Sequence, residues 1–386
     1  MADLQADPRA LAGLRVLELS GLSGAYCGRL FAGLGAAVTL VEPPGGSPMR
    51  AVAPFAGDAP GPENSLSFAY YAAGKASLVL DLETAPGRAA LHRLAGKADL
   101  LILADHPQAA AVDGAGLCRD HPRLVALRIT PYGSSGPYAG FVGDDLTLMA
   151  MGGLLTMAGF PGEPPVVAHG GQGLLAADQF AAVAALAALL RAERTGRGEL
   201  IDVSIQEAIV MALENAAQTY QLEGRIRQRA GTAARAGTGI YPCRDGEIYL
   251  LAGGIGETAM WGHFARWMAD EGIAGAERFT AADWDDTTPA ACAAFEALFL
   301  PYAARHTKAA LYARARAWRV PMAPMSTPVD LLENPQLSHR GFFVAPGQGP
   351  TAGLRMPGAP YKLSATPWRT GPAPALAPAP VIEELP

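Results

Sequence analysis

Cysteine is scarce in this chain. Cys27, Cys118, Cys243 and Cys292 are scattered over 386 residues and no two stand in a CxxC spacing. The pattern excludes a disulfide framework and a thiolate metal motif, and its simplest expectation is reduced thiols in the cytoplasm. Like-charge blocks of five or more are absent too. With a net charge of −6 and a pI of about 5.7, neither nucleic acid nor an acidic membrane surface is expected as the main partner. No basic segment followed by an apolar one comes after Met1, which gives no leader signal. The longest apolar run, Phe180 to Leu190, is too short to span a bilayer and lies between Asp178 and Arg191, so it is expected to be a buried helix.

What is present is a chain half hydrophobic by residue, able to bury a large core and long enough for two domains. Its most informative stretch runs from the apolar segment Leu14 to Leu19 through Gly21, Gly24 and Gly28, along an apolar helical run to Leu34, and into Val38 to Glu42. This predicts strand, glycine turn, helix and strand. Such a turn leaves backbone N–H groups at the helix start that can hold an anionic ligand.

Pro43 to Asn64 is rich in Gly and Pro and is expected as a surface loop. A second strand–helix–strand unit follows: Ser77 to Leu82, a helix capped by Thr84 with Pro86 in its first turn, and Leu100 to Leu103. A further strand, Leu124 to Thr130, ends in the turn Pro131 to Tyr138. Strands alternating with helices predict an open, mostly parallel α/β sheet. Helices then dominate, at Leu146 to Leu155, Leu174 to Arg194 and Gln206 to Leu222, with a short strand at Leu200 to Val203. The basic stretch Glu223 to Gly237 marks a boundary. Beyond it, strands at Gly239 to Pro242 and Ile248 to Ala252, and helices at Glu257 to Ala269, Pro289 to Ala304 and Thr307 to Trp318, predict a smaller α+β domain. From Leu354 the chain is rich in Ala and Pro, and Pro372 to Pro380 is expected as an extended tail.

Three candidates account for the glycine turn. A nicotinamide dinucleotide fits Glu42 at the end of the second strand as a ribose-binding carboxylate, although the glycines are spaced GxxGxxxG rather than GxGxxG. Ser23 as a nucleophile half fits an elbow motif but lacks the closing glycine. The third candidate rests on the order of motifs along the whole chain. Leu11 to Leu19, Gly33 to Gly46, Gly74 to Leu82, Gly136 to Tyr138, Thr195 to Gly198, Pro335 to Leu337 and Arg340 to Phe343 together resemble the family III CoA-transferases, a group that also holds the 2-methylacyl-CoA racemases.

The resemblance implies an interlocked dimer, each chain having a Rossmann-like large domain built from both chain ends, here 1–224 and 331–386, and a small α+β domain, 225–330. Acyl-CoA is the implied substrate with a carboxylate as acceptor, and neither a prosthetic group nor a metal is implied. Lys75, within Gly74 to Ser77, corresponds to a family lysine near the CoA adenosine, where a cation suits phosphate. Ser23, Gly24 and Ala25 fall where a family turn approaches the pantetheine and thioester, with Tyr132 and Gly133 in the facing loop. Arg50 is a further phosphate contact. The acyl group is expected among Tyr132 to Tyr138, Met149 to Met157 and Gly253 to Gly256.

The chemistry is where the sequence departs from the family. Family transferases use an aspartate that attacks the thioester and forms a mixed anhydride. Counting back from Thr195 places Leu174 at that position, and leucine can neither attack nor carry a proton. The racemase alternative needs a histidine where Asp144 stands. Two expectations follow. Either the chain is an acyl-CoA-binding or purely structural subunit without turnover of its own, as a homodimer or paired with an aspartate-bearing family member, or Asp178, one helical turn on, substitutes. A displacement of about 5–6 Å disfavours the second, and Asp178 also fits a capping or interface carboxylate. His169, just before the helix, is a pocket acid–base group or a hydrogen-bonded loop residue.

Overall fold

Leu100–Leu103 is buried along its whole length, the pattern of a strand covered on both faces. The computed structural model describes residues 9–229, 231, 235–253, 259–282, 284–378 and 380. Parts of the basic stretch, the glycines at 254–256, Glu257 at the expected start of its helix, and Ala379 in the tail lie outside the described residues. The chain divides into two compact units, one of Met1–Leu154, Ala168–Ala217 and Pro335–Pro386, the other of Leu155–Val167 and Gln218–Asn334.

The first unit is built on six parallel strands: β1 (Arg15–Leu19), β2 (Ala37–Glu42), β3 (Ala76–Val79), β4 (Leu100–Leu103), β5 (Val125–Thr130) and β6 (Leu200–Ser204), in spatial order β3-β2-β1-β4-β5-β6. This is the doubly wound order. Its direction reverses between β1 and β4, and the crevice past the carboxyl ends of those strands is where such a sheet binds ligands. The helices of this unit are α1 (Ala25–Leu34), α2 (Leu66–Tyr71), α3 (Ala85–Ala95), α4 (Gly114–Asp120), α5 (Asp145–Met151), α6 (Gln172–Thr195) and α7 (Ile205–Val210). Thr84 caps α3 by accepting from the Gly87 N–H, with proline in the first turn, as its sequence predicts.

Three expectations need correction. The helix expected over Gln206 to Leu222 is broken: α7 gives way to a 3-10 turn at Met211–Leu213, Glu214 takes a positive φ of 50°, and α8 (Ala216–Glu223) starts afresh. No glycine or proline marks the break, so periodicity runs through it. The loop Pro43 to Asn64 is not all surface, for it carries two 3-10 turns and buries Met49 and Arg50. The third concerns α6, which at 24 residues is long and apolar enough to cross a bilayer by length and composition alone. Its alanine face (Ala177, Ala181, Ala185, Ala188) is buried while Phe180, Val183 and Leu190 are exposed, so only one side is core.

In the second unit β7 (Thr238–Cys243), β8 (Gly246–Leu251) and β9 (Met322–Pro324) form an antiparallel sheet, the third strand being unforeseen in the sequence. Around it lie α9 (Ala259–Asp270), α10 (Pro289–Ala303) and α11 (Lys308–Ala317), with Thr288 and Thr307 capping the last two. Trp267, Phe264, Phe295 and Phe299 fill the core. Arg235, from the basic stretch, is paired with Asp286 at 2.6 Å.

The tail is extended and docked. β10 (Phe343–Val344) pairs with β11 (Met356–Pro357), and further on Gly74 N–H donates to the Pro372 carbonyl and Ala377 N–H to Ser77 Oγ.

Gly28, on α1, has no room for a side chain, because a Cβ there would overlap the buried carboxylate of Glu18. Gly28→Ala is therefore expected to lower the urea unfolding midpoint, at a cost of about 2 kcal/mol or more. Gly262→Ala, on α9 with nothing within 4 Å, is expected to raise stability by about 0.5–1 kcal/mol.

Candidate functional site

The turn after β1 is held by two carboxylates from distant parts of the chain. Asp105, just past β4, accepts from the N–H groups of Gly21 at 2.6 Å and Leu22 at 3.1 Å. Asp178, on α6, accepts from Gly24 at 2.8 Å, Tyr26 at 2.9 Å and Cys27 at 3.4 Å. Gly24 enters α1 with φ +85°, a conformation that suits glycine, and its N-cap position carries no side-chain cap. Asp178 does that work from outside the helix. The N–H groups expected to be open to an anionic ligand are thus already occupied by the protein's own anions.

Asp178 is 1 % exposed. Burial pushes its carboxyl up to about 7; the three N–H donors oppose the shift and Glu18 adds to it. A carboxyl group enclosed in this way turns no open face to a thioester in this structure, and its hydrogen bonds are those of a helix cap.

The two cations expected at CoA phosphates are also enclosed. Lys75 Nζ lies 2.6 Å from Glu18 Oε1 and donates to the Ala25 carbonyl at 2.9 Å, with both charged side chains fully buried. Burial pushes Glu18 up and Lys75 down, and their mutual attraction opposes both shifts. Arg50 donates twice to Glu42, at 2.7 and 2.8 Å, and its guanidinium sits 3.9 Å above the Phe68 ring. Burial raises the Glu42 carboxyl, but hydrogen bonds from Arg50, Ser77 and Ser47 outweigh it and hold the group below its ordinary value. Glu42 is therefore an anchor for Arg50 rather than a free ribose-binding carboxylate, a correction to the dinucleotide pattern. Neither Lys75 nor Arg50 turns an open face to solvent in this arrangement.

At the switch point lies a cavity of about 550 Å³. Leu22 and Ser23 line it from the β1 turn, Ala104 and Asp105 from the end of β4, and Ile129, Thr130 and Pro131 from the end of β5; Asp144, Asp145, Leu146 and Leu174 close it. Leu174 therefore faces the same space as Ser23. Asp144 is the N-cap of α5, exchanging hydrogen bonds with Thr147 in a capping box. Asp145 reaches across to the start of α6, where its Oδ1 accepts from Gly173 at 2.9 Å and Leu174 at 3.1 Å. His169 is exposed and its backbone carbonyl accepts from Gln172 Nε2, as a loop residue.

Of the residues singled out from sequence, the cavity brings together Ser23, Asp144 and Leu174. Gly24 and Ala25 are buried behind it. Tyr132 and Gly133 lie beside it, the Tyr132 hydroxyl donating to Met151 Sδ at 3.0 Å and its ring packing on Tyr138 and Phe141. Sequence reading missed Asp105, Thr130 and Asp145. An acidic residue directly after a fully apolar strand was a usable signal for Asp105; nothing local indicated that the second aspartate of the Asp144–Asp145 pair caps a different helix.

Comparison with known proteins agrees with the order of motifs. The model of CoA-transferase family III matches residues 11–378. Similar relatives include succinyl-CoA:(R)-benzylsuccinate CoA-transferase subunit BbsE of Thauera aromatica, 40 % identical over 92 % of this chain and 89 % of that protein. Another is succinyl-CoA–D-citramalate CoA-transferase of Chloroflexus aurantiacus, 31 % identical over 96 % and 92 %. Among solved structures, a CAIB/BAIF family protein from Brucella suis superposes with a TM-score of 0.83 at 26 % identity, covering 95 % of this chain and 96 % of that one. The chain belongs to CoA-transferase family III, and its substrates are accordingly CoA thioesters.

Asp178 makes stability depend on pH. Its folded value of about 7 lies above the ordinary 3.8, so the folded state holds a proton that the unfolded state has lost. Unfolding free energy is expected to fall as pH rises from about 4 through about 7 and then to level, by up to about 4 kcal/mol from this group. Chemical denaturation across that range checks it: Asp178→Asn should be less stable at pH 5 and should flatten this part of the profile.

Proposed function

We propose that this chain is the acyl-CoA-binding subunit of a family III CoA-transferase whose nucleophilic aspartate resides in a second, related chain. Leu174, facing the switch-point cavity at the position where the family resemblance puts the aspartate, carries this reading. The other carboxylates nearby support it, because Asp178 is enclosed and Asp105, Asp144 and Asp145 are bound to backbone N–H groups. Relatives named as subunits point the same way, BbsE and the alpha subunit of succinyl-CoA–L-malate CoA-transferase of Chloroflexus aurantiacus. The pairing is an interlocked dimer, in a cytoplasmic setting.

In this assembly the chain's own residues bind and orient. Ser23 and the Gly24 turn, fixed by Asp178, form one wall; Pro131 and the Tyr132–Gly133 loop form the facing one. Arg50 acts in this chain by holding the end of β2 through Glu42, and Lys75 by tying β1, through Glu18, to the start of α1, through the Ala25 carbonyl.

The test is trapping. Incubated with an acyl-CoA and hydroxylamine, the purified chain should give no carboxylate adduct by mass spectrometry and no transfer, and transfer should appear on mixing with an aspartate-bearing partner recovered by pull-down. An active homodimer, or an adduct on Asp178 or Asp145, would overturn the assignment.

A further inference from the structure

The loop that joins β5 to α5 is exposed yet carries no charge. Tyr132 to Gly143 holds four glycines, two tyrosines, a phenylalanine and a valine, and no Asp, Glu, Lys, Arg or His. Every residue from Ser134 to Val142 is exposed, Tyr138 at 44 %, Phe141 at 55 % and Val142 at 96 %. Large apolar side chains grouped in this way on a surface mark a contact to be made.

The two feet of the loop stand on the switch-point cavity. Pro131 and Gly143 both line it, and the ends close on each other, for a Cβ at Gly143 would come within 3.3 Å of the Tyr132 hydroxyl. This is the closed neck of an Ω-loop. Both feet are fixed. On one side the Pro131 carbonyl accepts from the Gln206 N–H at 3.0 Å and Asp202 accepts from the N–H and hydroxyl of Ser134; on the other, Asp144 caps α5. The head is held only by itself. Among the described residues, its backbone hydrogen bonds stay inside the loop, from Ala139 N–H to the Gly136 carbonyl and from Phe141 N–H to the Tyr138 carbonyl. Gly136 and Gly140 have no neighbouring atom within 4 Å of where a Cβ would stand. Tyr138 and Phe141 pack on each other, ring centroids 5.1 Å apart, and both pack on Tyr132.

The cavity has apolar rim residues to meet this head: Leu22 and Leu146 line it while remaining 39 % and 49 % exposed. We infer that residues 135–143 are a lid: with a CoA thioester in the cavity, the head turns about Tyr132 and lays Phe141 and Val142 over the acyl end, against Leu22 and Leu146. Feet planted on the cavity's own rim favour closure within the chain over cover by a second one. Closing takes apolar surface out of water on both sides and keeps water from a thioester it would hydrolyse. The inference rests on the acyl-CoA reading above and deepens it.

Hydrogen–deuterium exchange on the full chain, read by mass spectrometry with and without butyryl-CoA, tests this, with binding of butyryl-CoA and of free CoA measured in parallel by titration calorimetry. Butyryl-CoA should slow exchange across 135–143 by about tenfold, and free CoA, which has no acyl group to cover, by less. Phe141→Ser combined with Val142→Ser should speed the dissociation of butyryl-CoA by about tenfold and leave that of free CoA nearly unchanged, with circular dichroism verifying the fold. Bound butyryl-CoA that leaves exchange in 135–143 unaltered, or protection that appears only when an aspartate-bearing partner is added, overturns the lid and leaves the acyl-CoA reading standing. Failure of both free CoA and butyryl-CoA to bind overturns that reading and the lid with it.

Discussion

The first unit depends on one contact, the carboxyl group of Asp178 on the start of α1. A helix that opens on Gly24 has no side chain of its own to satisfy its first N–H groups. Asp178 supplies an acceptor to three of them from inside a neighbouring helix, and in doing so fixes the distance between α1 and α6. Because the group is buried, loosening either helix would leave unpaired polar atoms in an apolar setting, which is costly. The turn between β1 and α1 is consequently rigid, and Ser23 is held on the cavity wall by a residue that never touches the cavity.

The same device recurs around the sheet. Asp105 fixes the first half of the turn, Glu18 ties β1 to Lys75, and Glu42 ties the end of β2 to Arg50 and through it to the docked tail at Pro374. The Glu18–Lys75 and Glu42–Arg50 pairs are buried, and losing one partner of such a pair costs about 3–5 kcal/mol. Their combined effect is a nucleotide-like fold whose usual anion site is filled internally. A turn of the kind that holds a pyrophosphate in a dinucleotide enzyme here holds aspartates.

The elements were legible in the sequence where local chemistry set them. Apolar strands bounded by glycine, and the Thr-x-Pro starts of α3 and Thr-Pro start of α10, are written in adjacent residues, and so the sheet and its helices follow from them. What distance in the chain hides was not legible. Asp178 and Gly24 stand 154 positions apart and Asp105 and Gly21 stand 84 apart, with no spacing rule to connect them. For the same reason Lys75 and Arg50 read as available cations, since only the fold brings Glu18 and Glu42 against them. The break at Glu214 was invisible for a different reason: a positive φ on a glutamate contradicts local preference. Leu174 is the converse case, a single residue whose importance came from family resemblance and whose environment came only from the structure.

That environment bears on why a leucine is tolerated there. A carboxylate at position 174 would sit at the start of α6, where a helix N-terminus favours negative charge. Asp145 already occupies that favourable place by accepting from the N–H groups of residues 173 and 174. Asp144 and Asp105 add further negative charge around the same space. A fourth acid beside them would be pushed toward its protonated form, because like charges and burial act in the same direction. A protonated acid is a poor nucleophile. On the proposed reading, a leucine at this position is matched by its surroundings: apolar walls border it, and the neighbouring carboxylates oppose a further acid.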